Sequence, residues 1–222
     1  MELRVLEKSL DYQFQNRQLL VDALTHRSAG SQNNERLEYL GDAILSYVIA
    51  DDLYHRFPSA DEGQLSRLRA KLVKGETLAE LARSIELGDY LNLGPGEMKS
   101  GGHRRSSILA DTFEAILGAI YLDADISAVT KVIHHLFAET LINTSLKVAT
   151  KDAKTRLQEF LQSRHLDLPT YTVVDVAGKS HEQTFEVECH VNGLDIRALG
   201  KGSSRRKAEQ LAAANALDML AE

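Results

Sequence analysis

The hydrophobic period of this chain changes once, and that change limits the folds open to it. Up to residue 142, apolar side chains recur every three or four positions. Leu19, Leu20, Ala23 and Leu24 form one run, and Leu37, Leu40, Ile44 and Val48 another. Such spacing puts one apolar stripe on each of a series of helices. Later, Phe185, Val187, Cys189 and Val191 alternate with polar residues, the period of a strand with one buried face. One layer type cannot bury both patterns, and 222 residues suffice for two separate cores.

Further helical runs cover about 62–73, 76–86, 108–123 and 126–142. Asn33 and Asn34 precede the Leu37 run and are suited to cap it. The segment from Leu93-Gly94-Pro95-Gly96 to Gly101-Gly102 is rich in helix breakers and forms the longest irregular stretch of this half. It is a candidate functional loop. Residues 143–152 are polar and aperiodic, as expected of a linker. Beyond them the pattern predicts a helix over 154–164 and strands over 171–176, 184–191 and about 194–199. A helix over 204–220 follows, and Asn192-Gly193 signals a hairpin turn. The expected fold is an all-α domain over 1–142 followed by a small α+β domain of α-β-β-β-α order over 153–222.

Composition narrows the function. No window of eighteen residues is apolar enough for a membrane span. The N-terminus mixes both charge signs and does not read as a signal peptide. Cys189 is the only cysteine, which excludes an intramolecular disulfide and a multi-cysteine zinc site and fits a reducing cytoplasm. The net charge of −6 argues against a nucleic-acid partner until its distribution is considered. Residues 151–222 carry 10 Lys and Arg against 11 Asp and Glu, so neither half is basic. Any contact to a nucleic acid must come from local clusters, of which there are two: His103-Arg104-Arg105 and Lys201 to Lys207.

On a helix, Glu35, Glu38 and Asp42 stand at i, i+3 and i+7, on one face. Asp111 and Glu114 form a second pair at i, i+3. A charged face opposite an apolar stripe is commonly just solvated. Two features count against that here. Like charges at i, i+4, as in Glu38 and Asp42, cost a helix about 0.2–0.5 kcal/mol. Asp111 and Glu114 also stand beside Ala115, Gly118 and Leu122 rather than beside lysines. Those small residues allow another helix to approach closely. If the two helices pack together, four carboxylates converge and need a cation, for which all-oxygen ligation suits Mg²⁺ or Mn²⁺ rather than zinc. Such ions serve phosphodiester hydrolysis. No glycine-rich phosphate loop of the nucleotide-binding type is present, so no nucleotide cofactor is expected.

The run Glu35-Arg36-Leu37-Glu38-Tyr39-Leu40-Gly41-Asp42 resembles the signature of the ribonuclease III family. The run from Lys99 to Ala115, with Gly101-Gly102-His103-Arg104-Arg105 and Asp111-Thr112-Phe113-Glu114, resembles that family's second catalytic segment, in the same order and spacing. The resemblance is to the bacterial type and covers nearly the whole chain. It implies that Glu38, Asp42, Asp111 and Glu114 hold Mg²⁺, that Glu35 lies near the substrate and a subunit contact, and that Glu62 lines the catalytic valley. It also implies a homodimer through the catalytic domains, 5′-phosphate and 3′-hydroxyl products, and precursor ribosomal RNA and structured messenger RNA as substrates. Tyr39 has two placements, in a subunit interface or in its own core. Ala43 stands where many relatives have serine.

The C-terminal segment resembles the double-stranded-RNA-binding domain over its full length. Gly200-Lys201-Gly202-Ser203-Ser204-Arg205-Arg206-Lys207 opens its last helix, with Ser203 or Ser204 as cap. Basic residues at the positive end of a helix dipole suggest an anionic partner. The resemblance implies that Thr155, Gln158 and Glu159 reach the minor groove, that His181 enters the next one, and that Arg205, Arg206 and Lys207 clamp phosphates. Glu209 stands where many such domains have lysine, which counts against tight binding by the isolated domain. Two other functions compete with a nuclease: a catalytically silent RNA-binding regulator, and a helical metal phosphohydrolase acting on nucleotides. The four carboxylates argue against the first, and the missing His-Asp metal pair argues against the second.

Overall fold

The computed structural model describes residues 3–145, 152–178 and 183–221. Contacts divide the chain into two compact units, Met1–Ala149 and Thr150–Glu222, each with its own apolar core. The fold class is the expected one, an all-α unit followed by a small α+β unit.

The first unit contains α1 (Leu3–Ser9), α2 (Arg17–Ala23), α3 (Glu35–Arg56), α4 (Glu62–Leu72), α5 (Gly75–Ser84), α6 (Pro95–Lys99), α7 (Ser106–Asp123), α8 (Ile126–Leu136) and α9 (Ala138–Ile142). At its centre is α7, packed against α2, α3, α5 and α8. Ile108, Leu109, Phe113, Ile116, Leu117 and Ile120 are all buried on it. Each such side chain stabilises the unit by roughly 1.5–3 kcal/mol. A helix covered on so many sides is apolar around most of its circumference, so the carboxylates it carries stand next to the core.

The longest helix is α3, with 22 residues. Gly41, Ile44, Leu45, Val48, Ile49 and Leu53 form its buried side. Its outer side is unusual: Tyr39 is 81% exposed, Tyr47 60% and Tyr54 67%, with Ala43 and Ala50 between them. The steps of four, four, three and four residues make one apolar stripe facing away from the unit. Tyr39 therefore lies outside the core of its own unit.

Three local readings change. The helix expected over 126–142 breaks at Phe137, whose buried ring packs edge-on against Phe113 at 6.2 Å. The breaker-rich loop is not wholly irregular, because it holds α6 and a 3-10 turn over Gly102–Arg104. At the start of α3, Asn33 is the residue whose side chain caps: its Oδ1 accepts from Glu35 N at 3.1 Å. Asn34 is buried instead, donating to Ala23 O at 3.3 Å and to Thr112 Oγ1 at 3.4 Å.

The second unit runs α10 (Ala153–Ser163), β1 (Thr170–Ala177), β2 (Thr184–Val191), β3 (Ile196–Gly202), α11 (Arg205–Ala221). The strands form an antiparallel sheet in the order β1-β2-β3. Against it pack α11 and, beside that helix, α10. Val187, Cys189 and Val191 point inward, as their alternation predicts. Leu157, Leu161, Ala212 and Ala216 complete the core from the helices. The β2–β3 connection is longer than a two-residue Asn-Gly turn. A 3-10 turn spans Asn192–Leu194, and the left-handed residue is Asp195, with φ 48°. Aspartate tolerates that region better than most side chains, and β3 therefore begins at Ile196, paired with Val191.

Candidate metal centre and RNA face

The metal centre depends on a close crossing of α3 and α7. A Cβ at Gly41 would overlap the Glu114 carbonyl oxygen, and a Cβ at Gly118 would overlap that of Leu37. Two backbones in contact bring the carboxylates on either side of the crossing together. Glu38, Asp111 and Glu114 each offer one oxygen within 4.8 Å of the others. Asp42, one turn beyond Glu38, is not in this triplet, but its charge acts on both Glu114 and Glu38.

The electrostatics follow from that crowding. Burial first, then Asp42, Glu38 and Asp111, push the Glu114 carboxyl up to about 8 from an ordinary 4.5. Glu38 is raised by burial, then by Asp111 and Glu35. Asp111 is also raised by burial, against the opposing influence of His26 and Arg27. Three carboxyls raised together form a site short of positive charge.

In the second unit, Thr155, Gln158, Arg205 and Arg206 line one groove of about 630 Å³ together with Lys154 and Glu209. Asp152 holds its two helices together: its Oδ1 accepts from Thr155 N at 3.0 Å and from Gln210 Nε2 at 2.8 Å. Ser204 is the cap of α11, accepting from Lys207 N at 3.3 Å. Lys207 is exposed, with Nζ donating to Ser203 Oγ at 3.1 Å. Glu159 is exposed on α10, outside the lining of the groove. His181 lies outside the described residues.

Residues 16–141 match the Ribonuclease-III-like family, and residues 153–220 match the double-stranded RNA binding motif. Ribonuclease 3 of Vibrio campbellii is 60% identical over 97% of this chain and 96% of its own length. Ribonuclease 3 of Photobacterium profundum is 61% identical over the same shares. The chain belongs to the ribonuclease III family. It is an endoribonuclease with a double-stranded-RNA-binding unit. The crystal structure of the nuclease domain of ribonuclease III from Campylobacter jejuni superimposes with a TM-score of 0.62 at 41% identity, covering 65% of this chain and 99% of that one.

In this ribonuclease III two of the triplet, Glu38 and Asp111, border a cavity of about 510 Å³. Glu35, Glu38 and Asp111 line it, and so do His26, Arg27 and Arg105. Arg27 pairs with Glu35 at 3.6 Å, and Arg105 with Glu97 at 2.7 Å. His26 Nδ1 lies 2.8 Å from Ser28 Oγ, which also accepts from Gly94 N at 2.9 Å. The breaker-rich loop is thereby tied to the segment before α3. Sequence reading passed over His26, Arg27 and Glu97. The available signal was a polar run, Thr25-His26-Arg27-Ser28, directly after an apolar helix. Arg105, expected among the RNA-facing basic residues, pairs with Glu97 while its side chain stays 48% exposed.

Glu62 stands apart from the other acids. It is exposed at the start of α4, its Oε1 accepts from Ser66 Oγ at 2.7 Å, and it shares a groove with Ala50, Tyr54 and Arg69. Among the described residues no helix is long and apolar enough to cross a membrane.

Proposed function

We propose that this ribonuclease III hydrolyses phosphodiester bonds of double-stranded RNA with Mg²⁺, for which Mn²⁺ can substitute, leaving 5′-phosphate and 3′-hydroxyl ends. One observation carries the reading: the convergence of Glu38, Asp111 and Glu114 within 4.8 Å, in a chain that also bears a double-stranded RNA binding motif. The donor set consists of carboxylate oxygens, which suits a hard divalent ion. The raised Glu114 carboxyl marks the charge such an ion would relieve. When bound, the ion supplies activation of water and stabilisation of charge on the leaving oxygen. Glu38, Asp42, Asp111 and Glu114 hold it. Glu35, kept at the cavity by Arg27, meets the substrate. Water attacks phosphorus in line, the bond to the 3′ oxygen breaks, and that oxygen leaves with a proton.

Residues 1–142 form the catalytic domain, 143–152 the linker and 153–222 the RNA-binding domain. Thr155, Gln158 and Glu159 reach one minor groove, His181 the next, and Arg205, Arg206 and Lys207 the phosphates between them. Such a domain spans about 16 base pairs and reads shape. The enzyme is a homodimer through the catalytic domains, supported by the exposed stripe of Tyr39, Tyr47 and Tyr54 on α3. Glu62, beside Tyr54, enters the catalytic valley on assembly. Two sites cutting opposite strands leave a short 3′ overhang. The work is cytoplasmic, on precursor ribosomal RNA and structured messenger RNA.

The test is incubation of the purified chain with end-labelled duplex RNA in Mg²⁺ and in Ca²⁺. Discrete shortened duplexes with Mg²⁺ and an intact complex with Ca²⁺ are expected. Binding without cleavage in both would favour the silent regulator, and no binding would remove the RNA assignment.

A further inference from the structure

Glu209 sits among the cations of the RNA groove, where an isolated carboxylate would repel phosphate. Its surroundings give it another part. The side chain is only 12% exposed, and each oxygen has its own partner. Oε2 accepts from Lys154 Nζ at 2.6 Å, and Oε1 from Arg205 Nε at 2.9 Å. Lys154 is in the first turn of α10 and Arg205 opens α11, so one carboxylate joins two helix starts. Lys154 is held from its other side by the Tyr171 ring, with Nζ 4.3 Å from the centroid. Its side chain is 33% exposed. Arg205 differs, because it is bound through Nε alone and its side chain stays 63% exposed. The two terminal nitrogens of a guanidinium carry four of its five N–H donors. A guanidinium anchored at Nε therefore presents a fixed fork outward, the geometry that recognises a phosphate.

We infer that Glu209 is a positioning residue for RNA binding, which holds Arg205 so that its terminal nitrogens face a backbone phosphate. The inference rests on the reading that this groove takes duplex RNA. It reverses the expectation drawn from charge alone. Lysine at this position, found in many such domains, would add a positive charge yet set three cations against one another and release Arg205.

The experiment measures the affinity of the full chain for a duplex RNA longer than about 16 base pairs, with Ca²⁺ in place of Mg²⁺, over a range of salt. Arg206→Ala weakens binding and lowers the salt slope by about one. Unchanged binding in Arg206→Ala would overturn the groove reading itself, and the inference with it. Glu209→Lys weakens binding at least about threefold despite its added charge, again with a slope lower by about one for the lost Arg205 contact. Tighter binding by Glu209→Lys would overturn the inference while leaving the groove reading intact. The inverted pair Lys154→Glu/Glu209→Lys restores the tie between the helices but leaves Arg205 facing a cation, so it stays weak. Recovery of the original affinity in that double variant would show a structural tie only, and would overturn the positioning role.

Discussion

Glu114 and Glu209 are both partly buried glutamates on helices, one in each unit, and their environments shift them in opposite directions. Burial and three neighbouring acids raise Glu114. The Lys154 bond, followed by that of Arg205, outweighs burial and lowers Glu209. Removal from water alone disfavours either charge, and the partners decide the sign. In the catalytic unit the proposed divalent ion would supply the missing partner. In the RNA-binding unit the partners are built in, and one of them still presents donors outward. Two acids of the same type thus mark a site that needs a cation and a site already furnished with cations.

The comparison breaks most sharply at Glu114. Glu114→Gln is expected to lower Mg²⁺-dependent cleavage by more than the roughly 10–100-fold that follows loss of a mere supporting contact at a metal site. Binding of duplex RNA in Ca²⁺ should be retained, because that rests on the other unit. Single-turnover cleavage and a binding isotherm on one preparation check both, and loss of binding as well would undo the division of labour. Next in size is Gly41→Ala. The added methyl overlaps the Glu114 carbonyl, so the helices must separate, at a cost of about 1–3 kcal/mol. Thermal unfolding should show a lower transition and cleavage should fall with it. An unchanged transition would mean that the crossing is looser than described.

Gly41 also shows what was legible beforehand. The acid pairs, their order and the small residues Ala115 and Gly118 stood in the sequence, and they announced a close helix approach. The partner glycine on α3 was passed over, although glycine inside a helix costs about 1 kcal/mol relative to alanine and so asks for a reason. The alternation of Val187, Cys189 and Val191 gave β2 its buried face, because strand period is a local property. The break at Phe137 was not local: it depends on where Phe113 stands, and periodicity carries no trace of that. Glu209 was read by its charge sign alone. Arg205 stands at i, i+4 and was open to sequence reading, but Lys154 lies on a separate helix, so only packing could reveal that both oxygens are taken. The Arg105–Glu97 pair was hidden for the same reason, since Glu97 sits across the breaker-rich loop.

A third effect concerns stability in the absence of divalent ions. Glu114 has a folded value of about 8 against an ordinary 4.5. Between those values the folded chain holds the proton and the unfolded chain has released it. Stability therefore falls as pH rises through that interval. Glu38 and Asp111 are raised too and add in the same direction. With a chelator present, the first unit should unfold at a lower temperature at pH 8 than at pH 6. Glu114→Gln should remove part of that difference and unfold higher than the parent at pH 8, by about 2–4 °C for each kcal/mol relieved. Mg²⁺ should raise the parent and not the variant. A variant that unfolds lower at pH 8 would show that Glu114 is not under electrostatic strain.

The smallest effect has the opposite pH sign and belongs to the other unit. Asp152 lies below its ordinary 3.8, held there by Gln210 first and then by the Thr155 amide. A depressed carboxylate contributes stability that is present above the unfolded value and disappears as pH falls through the folded one. Asp152→Ala removes a helix cap and a tie between α10 and α11, for about 1 kcal/mol. In a unit of this size that lowers the unfolding temperature by about 4–8 °C. The difference between parent and variant should be full at pH 7 and shrink toward zero in strong acid, where both carry an uncharged group or none. Unfolding of the second unit, followed at pH 7 and near pH 3, reads this directly. A difference of equal size at both values would mean that Asp152 acts by packing rather than by its charge, and the contrast with Glu114 would then lose its electrostatic basis.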